Sequence, residues 1–163
     1  MTAHTQNRTR DMLGLIVSLA LCYAVMAVAG IATAATVGTW FQALVQPSFR
    51  TPDWLFAPVW FVLYTLMGVA AWRVWRIAGF SGARTALTLY AVQLGLNFAW
   101  SFLFFSFKLI GPAFVEILVL LVAVILTAIA FRRIDGWAAV MFVPYIAWVS
   151  FASLLNGSLW VLN

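Results

Sequence analysis

Charge is the scarcest thing in this sequence. Of 163 residues only 8% are Asp, Glu, Lys or Arg, and just four of those are acids. No nucleophile–base constellation, paired carboxylates or phosphate loop can be found, so conventional catalysis lacks its machinery. There is one cysteine, Cys22, and one histidine, His4. A lone cysteine excludes an intrachain disulfide and gives no metal-ligand spacing. His4 falls in a polar stretch and reads as a solvated residue, so no metal site is expected. Nucleic acid is not a partner either, because the nine basic residues stand between apolar blocks and form no basic stripe.

What fills the chain is apolar. Hydrophobic residues make up 66% of it, and the mean hydropathy is +1.05. A soluble domain of this length could not hide so much apolar surface. The expected class is an all-α integral membrane protein, a five-transmembrane-helix bundle bathed in lipid. A polar tail, residues 1–11, is expected to be disordered, and the membrane domain occupies 12–163. Its spans are placed at about 12–37, 54–72, 85–107, 112–131 and 137–162. The first run carries Arg8 and Arg10 ahead of it, as a signal peptide would. It is much longer than a signal's apolar core of about 7–15 residues, so it is read as a span. Pro112 is expected to open the fourth helix at its first position, and Pro144 to lie inside the fifth.

Loop charges give an orientation. Arg8, Arg10, Arg73, Arg76, Arg84, Arg132 and Arg133 fall on one side, and only Arg50 and Lys108 on the other. By the positive-inside rule the amino terminus is expected in the cytoplasm and the carboxy terminus outside, if this is a plasma membrane. The connection from Trp40 to Asp53 then lies on the outer side. It holds Pro47 and Pro52, which forbid a continuous helix, and it runs into a span containing Pro58. An aromatic, proline-shaped lip above a span suggests the mouth of a pocket.

Helix faces point the same way. Gln93, Asn97, Trp100 and Phe104 are spaced four, three and four, so they share one stripe. Amides are costly in hydrocarbon, so this stripe should face the bundle interior. Ala91, Gly95 and Ala99 fall on the opposite face, a small-residue surface suited to close packing within the bundle or across a dimer. Tyr145, Trp148, Ala152 and Leu155, with Asn156 beside them, form an inward stripe on the fifth span, and Trp60 and Tyr64 are one turn apart on the second. At about 1.5 Å per residue, Trp60 lies about 9 Å and Trp100 about 10 Å from the outer ends of their helices. Trp148 is deeper, near mid-span. Trp72, Trp75, Trp137 and Trp160 sit at span ends, where an interfacial belt explains them. For Trp60, Trp100 and Trp148 two readings stand, a ligand pocket or plain interior packing. Glu116, the only acid inside a span, reads as structural, near Lys108 and the start of its helix, with a proton or ligand role as the alternative.

These residues carry a resemblance. Trp40, Pro47, Pro52, Trp54, Pro58-Val59-Trp60 and Leu63-Tyr64 match the pattern of the tryptophan-rich sensory protein family, which includes the mitochondrial translocator proteins. The match continues through Gln93-Leu94, Leu96-Asn97, Trp100, Phe104-Phe105, Pro144-Tyr145, Trp148, Phe151-Ala152 and Leu155-Asn156. The resemblance implies a five-helix bundle, commonly a homodimer, with a pocket open toward the first loop. It also implies porphyrin ligands, with sterols or drugs for some members, and roles in sensing, transport or light-dependent porphyrin breakdown. The family implicates the positions of Trp60 and Trp148 in that breakdown, and those of Trp40, Phe41, Asn97, Phe98, Trp100, Ala152 and Leu155 in the pocket. The sequence departs from the pattern at Phe41, Gln46, Phe49 and Thr51. Gly157 stands where the animal sterol motif has tyrosine, so sterol recognition by that motif is unsupported.

Residue chemistry is compatible with a flat aromatic ligand. Indole faces stack on a large apolar disc, and buried area supplies most of the affinity. Protoporphyrin IX or a related tetrapyrrole is the expected ligand, with Trp40, Phe41, Trp60, Tyr64, Asn97, Phe98, Trp100, Tyr145, Trp148, Ala152 and Leu155 around it. Arg50 is the one basic residue on the lip, as a propionate partner or an interfacial anchor. Haem ligation is disfavoured, since no span holds a histidine, and no cofactor is required. The leading expectation is a tetrapyrrole-binding sensor or carrier. The alternatives are a photo-oxidative enzyme using Trp60 and Trp148, and a scaffold acting through the Ala91–Gly95–Ala99 face on a protein partner.

Overall fold

The computed structural model describes the backbone of residues 2–163 and the side chains of residues 8–163; the His4 side chain lies outside the described residues. Helix α1 (Thr2–Val37) is followed by a short α2 (Trp40–Ala43) and a 3-10 turn at Asp53–Leu55. Then come α3 (Phe56–Gly82), α4 (Arg84–Ser101) with a π-helical turn at Phe102–Ser106, α5 (Ile110–Arg132), α6 (Gly136–Val140) and α7 (Val143–Leu162). Five stretches are long and apolar enough to cross a membrane: Arg8–Val37, Asp53–Gly82, Arg84–Ser106, Ile110–Arg132 and Gly136–Leu162. This is the expected all-α five-helix bundle. Large apolar side chains such as Ile16, Phe61, Val119 and Val122 point outward, as a lipid solvent requires.

Several boundaries differ from those read in the sequence. The stretch 2–11 continues α1 as helix. A polar segment needs no new nucleus when it extends an existing span, and the Asp11 carbonyl accepts a hydrogen bond from Trp72 Nε1 at 2.8 Å. The second helix runs ten residues past Trp72 to Gly82 and breaks at Gly79. There φ is +64°, which only glycine adopts without strain. Cations pack on the rings where it extends: Arg76 lies 4.5 Å over the Trp72 ring, and Arg10 lies 5.4 Å over Trp75. Pro112 is the third residue of α5, because Ile110 opens that helix; it still sits in the first turn, where no donor is missed. The fifth span is interrupted between Val140 and Val143, and Pro144 is the second residue of α7. A proline there costs nothing, whereas inside an unbroken helix it would clash with the preceding turn.

The bundle is assembled by close approach of α1 to α3, and of α5 to both α4 and α7. Gly68 lies at the first contact, where a Cβ would be 2.9 Å from Leu19 Cδ2 and 3.5 Å from the Leu19 backbone. Ser18 Oγ donates to the Gly68 carbonyl at 2.7 Å, and the Cys22 thiol lies 2.9 Å from Tyr90 Oη. Such polar contacts matter in lipid, where apolar surfaces gain nothing by leaving hydrocarbon for hydrocarbon.

At the opposite end from the lip, Asp135 links two spans. It accepts from Trp137 N at 3.1 Å as the cap of α6, and from Arg73 Nε at 2.5 Å across the bundle. The Arg73 guanidinium, with help from the α6 amides, holds the Asp135 carboxyl below its ordinary value of 3.8. A depressed folded pKa stabilises above the unfolded value and is lost as pH falls through the folded one. The thermal midpoint of the purified protein should therefore be level from pH 7 to about 5 and drop below about pH 4. Asp135→Asn should lower the neutral-pH midpoint and shrink that acid drop; an unchanged pH profile in the variant would remove Asp135 from the account.

Candidate functional site

The lip is built from short-range polar contacts. Prolines 47 and 52 break the helix, and the chain folds back so that Gln42 Nε2 donates to Asp53 Oδ2 at 3.1 Å. Arg50 pairs with Asp53, and its guanidinium lies 5.0 Å over the Phe41 ring. The last residue pins the lip from the far end of the chain. Asn163 Oδ1 accepts from Val45 N at 2.8 Å, and Asn163 Nδ2 donates to the Val45 carbonyl at 3.1 Å.

Below the lip the rings converge. Trp100 stacks on Phe104 at 5.3 Å, and Phe41 meets Phe104 edge-on at 5.9 Å. Trp148 stands edge-on to Phe56 at 5.8 Å and against Phe151 at 5.7 Å. The π-helical turn turns both Phe104 and Phe105 inward, through a Phe107 N to Phe102 O hydrogen bond of 2.8 Å. Together these rings, with Ala152, Leu155, Asn156 and Leu159, surround a cavity of about 20 Å³. That is far below the roughly 300–1,000 Å³ of a ligand pocket. The space is narrow, hardly wider at any point than a water molecule.

The residues expected around a ligand are thus divided. Phe41, Trp100, Trp148, Ala152 and Leu155 line the cavity. Trp40 lies at the lip, edge-on to Phe104 at 5.6 Å. Trp60 packs instead on Tyr64 at 5.8 Å and Tyr145 at 6.3 Å, and is not a wall of this cavity. Phe98 packs on Phe102 of its own helix at 4.8 Å. One turn further from the mouth, Tyr64 donates to Asn97 Oδ1, and Asn97 Nδ2 donates to Tyr145 Oη at 2.9 Å. All three are buried. Trp100 Nε1 donates to Asn156 Oδ1 at 3.2 Å, and Asn156 Nδ2 to the Ile110 carbonyl at 2.9 Å.

Some of the site was not foreseen. Phe56, Phe105, Phe151, Asn156 and Leu159 complete the walls, and of these only Phe56 and Leu159 lie outside every motif noted in the sequence. Lys108 reaches the lip, with Nζ 6.0 Å over the Trp40 ring; its backbone takes φ +58° to make the tight turn into α5. The mouth therefore has two cations. Arg50 Nε and Thr51 Oγ1 are buried there without partners, and deeper in the protein so are Trp148 Nε1 and both Glu116 oxygens. Ala91 and Gly95 face outward, and nothing lies within 4 Å of where a Gly95 Cβ would be. Among the described residues, no three His, Cys, Asp or Glu come together as a metal site would need.

Residues 18–161 match the TspO/MBR family. The chain is 36% identical to the tryptophan-rich protein TspO of Chlorobaculum tepidum over 158 residues, 94% of this chain and 98% of that protein. It is 41% identical to the translocator protein of Ovis aries over 123 residues, 74% of this chain and 73% of that one. With the tryptophan-rich sensory protein of Cereibacter sphaeroides it shares 39% over 117 residues, 72% of each.

The Tyr64–Asn97–Tyr145 cluster makes a stability prediction. Interhelical hydrogen bonds in lipid are worth about 0.6 kcal/mol on average and up to about 1.7, so Tyr64→Phe should cost an amount in that range. Asn97→Ala strands two buried hydroxyls and should cost about 2–3 kcal/mol. Equilibrium unfolding in mixed micelles measures both; an Asn97→Ala loss no larger than that of Tyr64→Phe would show the cluster holds nothing together.

Proposed function

The chain belongs to the TspO/MBR family, and on that premise we propose that it is a multi-pass membrane protein that binds a tetrapyrrole as a sensor or carrier. The observation that carries the reading is the ring-lined cavity beneath a cation-bearing lip. Its walls are faces and edges of Phe41, Trp100, Phe104 and Trp148, which suit a flat apolar disc. A porphyrin also needs partners for its propionates. Arg50 Nε and Thr51 Oγ1 are unpaired donors at the mouth, and Lys108 lies over Trp40. The ligand widens a narrow cavity by displacing rings, which are held there mainly by other rings. The names translocator and sensory protein belong to relatives, and supply the words carrier and sensor here.

In this reading the mouth opens on the outer side and the amino terminus is cytoplasmic. Two chains pair through the outward Ala91–Gly95–Ala99 face, where the absence of side-chain bulk at Gly95 lets a second helix approach. Gly95→Leu should then yield monomers where the unaltered protein is dimeric, by light scattering in detergent. Dimers that survive the leucine would place the contact elsewhere.

The ligand is tested by titrating the purified protein with protoporphyrin IX in the dark and following tryptophan fluorescence. Saturable quenching with a micromolar or tighter Kd is expected, weakened about tenfold by Trp148→Ala and less by Trp60→Phe, since Trp60 is outside the cavity. The free acid should bind better than its dimethyl ester, and Arg50→Gln should narrow that preference. Illuminating the same sample separates a carrier, which leaves the porphyrin intact, from a photo-oxidative enzyme, which consumes it. No saturable quenching in a folded sample would end the tetrapyrrole reading.

A further inference from the structure

The second and fifth spans meet through α6, but beyond it they are not joined as the other neighbours are. α1 lies along α3, and α5 lies along α4 and α7, but α3 and α7 are without comparable backbone contact. Between them, on the lipid-facing side, runs an apolar groove of about 540 Å³. Its walls are Pro58 and Val62 on α3 and Pro144 and Ala147 on α7, and its remaining lining includes Trp148 and Phe151. Those two rings also line the inner cavity. One layer of side chains therefore separates the cavity from the bilayer.

That layer is held differently from the lip. Over the mouth, polar contacts close the chain: Asn163 to Val45 twice, Gln42 and Arg50 to Asp53. Across the seam, Trp148 meets Phe56 by ring contact alone, with Phe151 of its own helix against it, and its Nε1 has no hydrogen-bond partner. Turning the indole breaks no hydrogen bond. Any apolar polycycle is moreover concentrated in the lipid, which wets the groove directly.

We propose that the groove between α3 and α7 is a lateral portal, through which a flat apolar polycycle dissolved in the bilayer reaches the inner cavity when Trp148 turns aside. The ligand class rests on the reading above, but the portal does not depend on a porphyrin. The groove passes Pro58, two residues into the helix that the lip leads to. A disc entering sideways can thus keep acidic substituents near Arg50 while its apolar body crosses the seam.

The test uses full-length protein in phosphatidylcholine vesicles and a pyrene carrying a diazirine, photolysed at set times after mixing. Peptide mapping follows label on Ala152 and Leu155, two inner-cavity residues. Label should appear there in the unaltered protein. Ala147→Trp and Val62→Trp each fill the groove from the lipid side, on opposite walls, and should delay it at least tenfold. Either variant suffices if the other fails to fold. Asn163→Ala, which frees the lip, should leave the rate unchanged. Label that arrives at the same rate in a folded plugged variant, that speeds up only when the lip is freed, or that never reaches the cavity would overturn the portal. With protoporphyrin IX, plugging should slow association and dissociation together and leave Kd unaltered. If the unaltered protein binds no porphyrin, the tetrapyrrole reading fails while the pyrene result still decides the portal.

Discussion

The hydrogen bonds of Asn97 to Tyr64 and Tyr145 are the contact on which the rest of this bundle depends. In a bilayer the apolar surface of a helix is as content against lipid as against protein, so greasy faces alone do not choose a rotation or a depth. A buried amide does choose, because it has no water to turn to. Asn97 draws α3 and α7 onto α4 at one level. Trp100, one turn above, then finds Asn156, which in turn holds the carbonyl of Ile110. Two asparagines thus register four of the five spans, and the aromatic cavity occupies the space between this polar level and the lip.

Floor and walls differ in kind. The floor is hydrogen-bonded and costly to distort. The walls are mostly aromatic rings in stacked, edge-on and tilted contacts, with Trp100 also hydrogen-bonded to Asn156, each ring pair worth about 0.5–1.5 kcal/mol beyond its buried area. A disc-shaped ligand replaces such contacts with others of the same sort, so the ring pairs given up are exchanged and not simply lost. A narrow cavity with aromatic walls is therefore consistent with a larger ligand, in a way that a narrow cavity with hydrogen-bonded walls would not be.

Much of this is legible in the sequence because hydrocarbon simplifies the reading. Runs without charge locate five spans, and the spacing of Gln93, Asn97, Trp100 and Phe104 identifies an inward stripe that is buried throughout. What escapes is anything set by a turn or by a distant partner. No periodicity announces that the chain leaves α-helical geometry at Phe102, so spacing alone does not turn Phe105 inward beside Phe104. The length of α3 escapes because Arg73 and Arg76 read as loop charges. In the structure one finds Asp135 and the other the Trp72 ring. Lys108 reads as a neighbour of Glu116, yet a left-handed residue at the turn carries it to Trp40. Trp60 and Trp148 both fall in the outer half by depth, but their helices turn them to different neighbours.

The polar residues of this chain also mark where it resists motion. The lip and the cap of α6 are stitched by exposed hydrogen bonds, and the buried Asn97 level by side chains that would be left unpaired in a low-dielectric setting if it opened, a loss of about 1–3 kcal/mol for each group. Along the facing surfaces of α3 and α7 above the Asn97 level, the described residues supply only rings and aliphatic groups, which can exchange one apolar neighbour for another, lipid included, at little cost. Rigidity and freedom are therefore distributed by chemistry more than by packing density. An aromatic seam between two stitched regions lets a protein with so few charges keep a defined bundle while leaving one wall able to move.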